Sequence, residues 1–273
     1  MLSGGRRGRR GAIALEAAIT LPIMTTLFVG AFDVVNALTA WRQTRAASIA
    51  IAEAATNMAV QTSTLTTPYS GSNLLTSANA YAVSTAVAAY LPDVRTAASS
   101  KFAVTLTAIV FNSVPSCSDG SCVCVTTTTT SGSNGTINTA NSSVINGSAG
   151  SNGSSTTSCY TANVAWSVAL GQGSPAYGGT QTRKCGVVTP VAVGTATSIG
   201  TSTLASNLPQ GLYGPYSLLV ADVSYTFTPS FLTFITGPVT FLESSYVPPR
   251  IGAAGEYVQY SPNTSSSVCS GYV

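Results

Sequence analysis

The apolar residues of this chain form one long run near the N-terminus, whereas the later apolar runs are short. The long run, from Ala12 to Phe32, reads AIALEAAITLPIMTTLFVGAF and contains 21 residues with one charged side chain, Glu16. A helix needs roughly 20 such residues to cross the hydrocarbon core of a membrane. We therefore predict a transmembrane helix over residues 12–33.

The helical period continues beyond this segment. Residues at i, i+3 and i+4 spacing form a stripe along one side of the predicted helix: Val34, Leu38, Trp41, Arg45, Ile49 and Ala52. No Gly or Pro interrupts it, so residues 34–61 are predicted to form an amphipathic helical stem. From Ala12 to Val60 the rod would measure roughly 73 Å, far more than a bilayer requires. Such a stem is typical of a filament subunit; the alternative is an anchor whose stem packs on its own domain.

The period then changes from helix to strand. A second helix is predicted within SNLLTSANAYAVSTAVAAYLPD, residues 72–93, with one stripe formed by Leu74, Ala78, Tyr81, Thr85 and Ala89. Five later runs rich in Val, Thr and aromatic residues are typical of strands: KFAVTLTAIVFN, SCVCVTTTTT, CYTANVAWSVAL, LLVADVSYTFT and VTFLESSYV. The predicted fold class is therefore α+β, with a long N-terminal helix and a second helix packed on a mostly antiparallel sheet.

One segment between the predicted strands has almost no apolar residues. Of the 33 residues from Thr126 to Ser158, 28 are Ser, Thr, Asn or Gly. This segment offers too little apolar surface to offset the entropy of ordering it, so residues 126–158 are predicted to be a flexible exposed loop. The exported domain then spans residues 62–250. Residues 251–273 form a C-terminal tail that is expected to be loose unless Cys269 ties it down.

Charged side chains are rare and unevenly placed. Only 7% of the residues are charged, against about 25% in an average soluble domain. Four of the eleven basic residues precede Gly11, which leaves seven basic and eight acidic residues in the rest of the chain. No nucleic-acid partner is expected from this balance. The chain has no histidine, the commonest general base and metal ligand, so we expect neither enzymatic activity nor a cofactor.

All six cysteines follow the apolar segment: Cys117, Cys122, Cys124, Cys159, Cys185 and Cys269. An even number on the exported side of a membrane indicates disulfides in an oxidising compartment. Fifteen complete pairings are possible, and the sequence does not choose among them. A zinc site is the competing interpretation, because Cys122 and Cys124 face the same side of a strand. The chain has no second close pair and no histidine to complete such a site, so we expect no metal.

The arginines before the apolar run indicate its orientation. Arg6, Arg7, Arg9 and Arg10 should stay in the cytoplasm, so that the residues from 34 onward are exported. A cleaved secretory signal peptide is the alternative, with Val35-Asn36-Ala37 or Leu38-Thr39-Ala40 before the cut. A carboxylate in the apolar region and the helix-breaking Pro22 argue against it.

The position of Glu16 needs an explanation, because a carboxylate at the bilayer centre costs about 2.5 to 3.5 kcal/mol. If the chain were cut after Gly11, Ala12 would become the N-terminus and Glu16 the fifth residue, one helical turn away. The new α-amino group, of the same chain or of a neighbouring one, would then neutralise the carboxylate. Apolar surroundings would make that ion pair strongly directional.

These residues carry a resemblance to a known family. Gly11 followed by Ala-Ile-Ala-Leu-Glu resembles a type IV prepilin cleavage site. More narrowly, RRGAIALEAAITLPIMTTLFVGAFDVVNA resembles the TadE-like pseudopilins of tight adherence (Tad) systems, in which an Arg-rich leader, Gly, Glu and a Leu-Pro step follow one another. Near the C-terminus, VADVSYTFTPSF and VTFLESSYVPPR are similar to the closing strands of such proteins.

The resemblance implies a function and a location. It implies a leader at residues 1–11, removal of that leader by a prepilin peptidase at the Gly11–Ala12 bond, and contact with other pilins and the Tad assembly machinery through Glu16 and the apolar stripe. The protein would pass once through a bacterial inner membrane, with its C-terminal domain in the periplasm, and then join a pilus at the cell surface. We expect a non-enzymatic pseudopilin that assembles or caps the pilus. The alternative is a signal-anchored binding module unrelated to pili.

Overall fold

The computed structural model describes residues 5–58, 60–61, 73–88, 101–118, 120–132, 135–139, 155–170, 183–192, 207–231, 237–249, 257–261 and 268–270. The first element is a single helix, α1, which runs without interruption from Gly5 to Met58 over 54 residues. It includes Pro22. The predicted membrane segment and almost all of the predicted stem therefore lie in one continuous helix.

A small sheet and the second helix lie beside the C-terminal part of α1. The small sheet consists of β1 (Val60–Gln61), β2 (Asn73–Thr76) and β11 (Gln259–Ser261), with β2 in the middle. Helix α2 (Ser77–Ala88) follows β2 directly. The strand β11 runs parallel to β2, so the C-terminal tail is joined to the segment that follows the stem.

The second helix begins later than the sequence predicted, because residues 73–76 form a strand. The hydroxyl of Thr76 accepts the backbone N–H of Asn79 at 3.2 Å, which is the arrangement of a helix N-cap. The predicted stripe is also wrong where it can be compared, since Ala78 is exposed while Ala80 and Val83 are buried. The side chains of Leu74, Tyr81 and Ala89 lie outside the described residues.

The main sheet has eight strands. Its central path is β10 (Val239–Val247), β9 (Leu218–Phe227), β3 (Phe102–Val114), β6 (Ser155–Leu170), β4 (Cys122–Gly132) and β5 (Gly135–Thr139). All neighbours along this path are antiparallel. Strand β7 (Gly186–Val191) pairs with β6, and β8 (Asn207–Pro209) pairs in parallel with β7. The predicted α+β class with a mostly antiparallel sheet is confirmed.

The five predicted strands correspond to β3, β4, β6, β9 and β10. The prediction of a loop over all of residues 126–158 is too broad, because β4 continues to Gly132, β5 covers Gly135–Thr139 and β6 begins at Ser155. Threonine, which makes up much of this segment, favours strands because its branched side chain fits a pleated surface. Residues 140–154 lie outside the described residues.

Both faces of the main sheet carry buried apolar residues. On the face toward the helices, the largest fully buried side chains are Trp166, Tyr225 and Phe102. Trp166 stacks on Tyr260 with 5.0 Å between ring centroids, and its indole N–H donates to the carbonyl of Val258 at 2.6 Å. The described parts of the C-terminal tail are thus part of the core.

Candidate functional site

The predicted cleavage bond lies within helix α1. The backbone is helical on both sides of Gly11 and Ala12, and the side chains of α1 are described from Glu16 onward. Glu16 is exposed. Its backbone carbonyl accepts the hydroxyl of Thr20 at 2.8 Å. The proposed pairing of Glu16 with a new amino terminus stays a prediction.

The helix around and beyond Glu16 projects away from the folded domain. All residues from 16 to 28 are exposed. Seven large apolar side chains between Glu16 and Asp33 are more than half exposed: Ile19, Leu21, Ile23, Met24, Leu27, Phe28 and Phe32. So much apolar surface in contact with water is unfavourable, and it indicates a segment that another apolar environment covers.

Polar groups in this projecting half bond within the helix. The hydroxyls of Thr25 and Thr26 donate to the carbonyls of Leu21 and Pro22, each at 2.8 Å. A hydroxyl satisfied in this way requires no water, which suits a helix surrounded by lipid. These hydroxyls therefore need no hydrogen-bond partner outside the helix, and most other exposed side chains of this half are apolar.

The C-terminal half of α1, residues 33–58, packs on the main sheet through a seam of mostly small residues. Its fully buried side chains include Ala40, Thr44, Ala52 and Ala55, together with the larger Ile51. This face lies against β9 and β10. Small side chains let the helix backbone approach the sheet closely, so that the two surfaces pack without voids.

Two side-chain hydrogen bonds add to this seam. The hydroxyls of Ser48 and Ser245 are 2.8 Å apart and buried. The indole N–H of Trp41 donates to a carboxylate oxygen of Glu243 at 2.6 Å at an exposed edge of the contact. Both bonds join α1 to β10, so they fix how far the helix is rotated about its axis relative to the sheet.

The predicted stripe on the stem proves to be mostly the outer face. Val34, Leu38 and Ile49 are exposed, Trp41 is partly covered by its contact with Glu243, and Ala52 is buried in the seam. The helix therefore packs on its own domain mainly through small residues and Ile51, whereas Val34, Leu38 and Ile49 face outward.

Asp33 has a role that sequence analysis missed. It directly follows the apolar run from Ala12 to Phe32, and it is 2% exposed. Its two oxygens accept the backbone N–H groups of Ser230 and Phe231 at 3.2 and 2.9 Å. Asp33 thus holds the chain after β9 against the helix. The partners are almost 200 positions away, so no local motif indicated them.

The six cysteines form three disulfides: Cys117–Cys122, Cys124–Cys159 and Cys185–Cys269. Cys124 and Cys159 are opposite each other in the β4–β6 ladder. The bond between Cys185 and Cys269 attaches the end of the chain to the segment before β7. The pairing of β6 with β3 shifts in register near Ala165. The carbonyl of Ala165 accepts the N–H of Cys269 at 2.9 Å.

The sulfur atoms of Cys117, Cys124 and Cys159 lie within 4.8 Å of one another. Such a cluster resembles a set of metal ligands, but only a thiolate binds zinc in this way. Each of the three sulfur atoms is already bonded to another cysteine. The cluster therefore consists of two neighbouring disulfides, which is the alternative that the sequence favoured over zinc.

A buried ion pair lies on the face of the main sheet that points away from α1. The Nε and Nη2 atoms of Arg183 each donate to Asp222 at 2.8 Å, and Nη1 donates to the carbonyl of Asn207 at 3.1 Å. The hydroxyl of Ser244 donates to the same carboxylate at 2.6 Å. Burial lowers the pKa of Arg183, but Asp222 and Tyr246 outweigh that effect, so the pKa lies above its ordinary value.

This ion pair involves residues from two distant parts of the chain. Arg183 is two positions before Cys185 in the sequence, but Cys185 is in a disulfide and Arg183 pairs with Asp222. Asp222 was predicted to be a strand residue, and it lies in β9. Its partner is 39 positions away, which explains why sequence spacing did not reveal the pair.

The described residues contain one helix long and apolar enough to cross a membrane, judged by length and composition, within Glu16–Asn57. A single N-terminal helix of this kind, carrying a β-rich domain on its far half, fits a membrane-anchored, pilin-like protein. The family model described as TadE-like protein matches residues 11–53. The match covers α1 from the predicted cleavage bond to the stem, and it confirms the resemblance drawn from that segment.

The match does not extend to the sheet domain. It covers 43 of the 273 residues and lies entirely within α1. No curated protein and no solved structure matches the chain.

Proposed function

We propose that this chain is a non-enzymatic pseudopilin that takes part in the assembly or capping of a Tad-type pilus after its leader is removed at the Gly11–Ala12 bond. The observation that carries the proposal is the TadE-like segment at residues 11–53, together with the apolar half-helix that projects from the domain. Pilin-like subunits use such a helix first as a membrane anchor and then as a contact with neighbouring subunits.

Glu16 is the proposed contact with a cleaved amino terminus. It lies four positions after Ala12, which corresponds to about 6 Å along the helix axis, or roughly one turn. The carboxylate is exposed along a surface that is otherwise apolar. Among packed apolar helices, an amino group and a carboxylate attract each other more strongly than in water. This interaction would align one subunit with the next.

The seam between the C-terminal half of α1 and the sheet argues against a cleaved signal peptide. A signal peptidase cut after Ala37 or Ala40 would fall where Ala40 is fully buried against the sheet. It would also remove Asp33, which binds the backbone of the chain after β9. The segment around these bonds is thus part of the domain, which favours a helix that stays attached over one that is removed.

The proposed partners follow from the same arrangement. A prepilin peptidase would remove residues 1–11, and the arginines in that leader would keep it in the cytoplasm. The inner membrane would surround the exposed half of α1 until other pilins and the Tad assembly machinery replace the lipid. The domain would then lie in the periplasm and, after assembly, at the cell surface.

The position of the cut is tested by the intact mass of the membrane-bound protein produced with its prepilin peptidase. We expect a mature chain that begins at Ala12, and we expect Gly11→Val to leave the leader attached. Gly8→Val, which places the same residue elsewhere in the leader, is the matched control and should be processed normally. A chain that begins at Leu38 or Trp41 would instead support a secreted protein, and an uncut chain would support a simple anchor.

The role of the carboxylate is tested separately. Glu16→Ala should be inserted and processed but should no longer co-purify with other pilins, and Glu16→Gln should behave similarly because it lacks the charge. Glu53→Ala removes the same type of side chain from an exposed position on the same helix and should leave assembly unchanged. Normal co-purification of Glu16→Ala would contradict the proposed ion pair.

A further inference from the structure

The contact between Asp33 and the chain after β9 lies at one end of the exposed apolar segment. Asp33 immediately follows the 21-residue run from Ala12 to Phe32, which spans about 31 Å as a helix. That length is close to the thickness of a bilayer's hydrocarbon core, so Asp33 falls at the outer boundary. The carboxylate holds the N–H groups of Ser230 and Phe231 at this same level.

Two phenylalanines beside this contact are left exposed. Phe32, next to Asp33 on the helix, is 53% exposed, and Phe231, whose N–H binds Asp33, is 54% exposed. Burying such a side chain is worth about 1.5 to 3 kcal/mol, so leaving both rings in water is unfavourable. In the sequence, no charged residue occurs between Asp222 and Glu243, and residues 231–235 read FLTFI.

We propose that the chain after β9 is a membrane contact: Phe231, fixed by Asp33, inserts into the outer interface of the phospholipid bilayer beside α1. The inference rests on the proposed function in one respect, namely that α1 crosses a membrane. Lipid is the occupant because the backbone of Phe231 is bound to Asp33, where the exposed apolar segment ends, and because Phe32, the neighbour of Asp33 on the helix, is exposed as well. The domain is then attached to the bilayer at two points, which fixes its tilt before assembly.

The arrangement of Asp33 fits this location. A carboxylate near lipid is costly unless hydrogen bonds and the surrounding protein compensate for the lost water. Asp33 meets this condition, because it is almost completely buried and accepts two backbone N–H groups. It therefore brings Phe231 to the membrane boundary without exposing a charge to the hydrocarbon.

The test uses the full chain in phosphatidylcholine vesicles, with tryptophan fluorescence quenched by lipids brominated on their acyl chains. Three single variants are compared with the parent, which contributes the emission of Trp41 and Trp166. Phe231→Trp is the test, Phe28→Trp reports on the membrane segment, and Val187→Trp is an exposed apolar position on β7. The emission that Phe231→Trp adds should fall by roughly half, and most with bromine near the headgroup.

The outcomes separate this inference from the proposed function. Quenching of Phe28→Trp without quenching of Phe231→Trp would overturn the inference and leave the anchor intact. An unquenched Phe28→Trp would contradict the membrane anchor itself. Equal quenching of Val187→Trp and Phe231→Trp would also overturn the inference, because it would show that the whole domain collapses onto the lipid.

The role of Asp33 is tested by a double variant. Adding Asp33→Ala to Phe231→Trp should reduce the quenching of the indole introduced at position 231, because the backbone loses its attachment to α1, whereas the quenching of Phe28→Trp should not change. Undiminished quenching would show that Asp33 does not position the contact. A benzophenone amino acid at position 231 that cross-links to a second copy of this chain, and not to lipid, would identify a subunit contact and overturn the proposal.

Discussion

Arg183 and Asp222 form a two-point ion pair that is almost completely removed from solvent, with side chains 2% and 0% exposed. The planar guanidinium matches the carboxylate, and Asn207 and Ser244 occupy further hydrogen-bonding positions around the pair. The pair joins the segment before β7 to the middle of β9. It lies on the sheet face opposite α1, so its loss should affect the domain and not the membrane helix.

We expect Asp222→Ala or Arg183→Ala to lower the free energy of unfolding by about 3 to 5 kcal/mol, because each leaves an unpaired charge in the interior. The double variant Arg183→Met/Asp222→Leu should cost much less than the sum of the single changes, since it leaves no buried charge. Urea unfolding of the full chain in detergent, followed by the fluorescence of buried Trp166, measures both. Additive losses would show that the two side chains do not interact.

The three disulfides should differ in their contribution to stability according to the length of chain that each closes. The sequence separations are 84 for Cys185–Cys269, 35 for Cys124–Cys159 and 5 for Cys117–Cys122. Restriction of the unfolded chain predicts stabilisation of about 4.6, 3.8 and 2 kcal/mol in that order. Paired Cys→Ser variants, compared by thermal unfolding, test the ranking. A larger loss from the 117–122 bond than from the 185–269 bond would contradict it.

Sequence analysis predicted the elements whose signals are local. The apolar run around Glu16 indicated the long N-terminal helix and carried the TadE-like resemblance, and Val, Thr and aromatic runs indicated the five long strands. The short strands were missed because runs of two to six residues carry little periodicity. Residues 73–76 were read as helix because Leu74 and Leu75 suit either period, and the pairing of β2 with β1 and β11 decides between them.

Contacts between distant residues were beyond prediction. Asp33 directly follows the apolar run, but nothing near it in the sequence identifies Ser230 and Phe231 as its partners. Arg183 is two positions before Cys185 in the sequence, whereas its partner Asp222 lies on another strand. Large apolar residues on the stem suggested the packing face, yet small residues such as Ala40 form most of it, together with the larger Ile51.

The seam between α1 and the sheet gives a matched pair of substitutions. Ala52 is fully buried, whereas Ala50, two positions before it, is exposed. Ala52→Leu adds three carbon atoms to a packed interface and should cost about 1 to 3 kcal/mol. Ala50→Leu should change stability by less than about 0.5 kcal/mol. Limited proteolysis of the stem and thermal unfolding in detergent measure the difference, and equal effects would mean that this face of the helix does not pack on the sheet.

Tyr213 should make the domain sensitive to alkaline pH. Its side chain is buried, its hydroxyl donates to the carbonyl of Val188 at 3.0 Å, and burial raises the pKa of Tyr213 above its ordinary value. In the unfolded chain the phenol titrates near pH 10, so above that pH the unfolded state has released a proton that the folded state keeps. The unfolded state then binds fewer protons, and stability falls as pH rises, by up to about 1.4 kcal/mol per pH unit.

Burial also raises the pKa of Tyr260, so the alkaline loss of stability should have more than one source. Tyr213→Phe leaves the carbonyl of Val188 without this donor and should cost about 1 kcal/mol at neutral pH. The same variant should lose less stability than the parent between pH 8 and pH 11, because one of the raised tyrosines is gone. Urea unfolding at each pH, with recovery checked after return to pH 8 to exclude disulfide exchange, measures the two slopes. Identical slopes would show that the proton on Tyr213 is not linked to folding, and that the phenol reaches solvent before the domain unfolds.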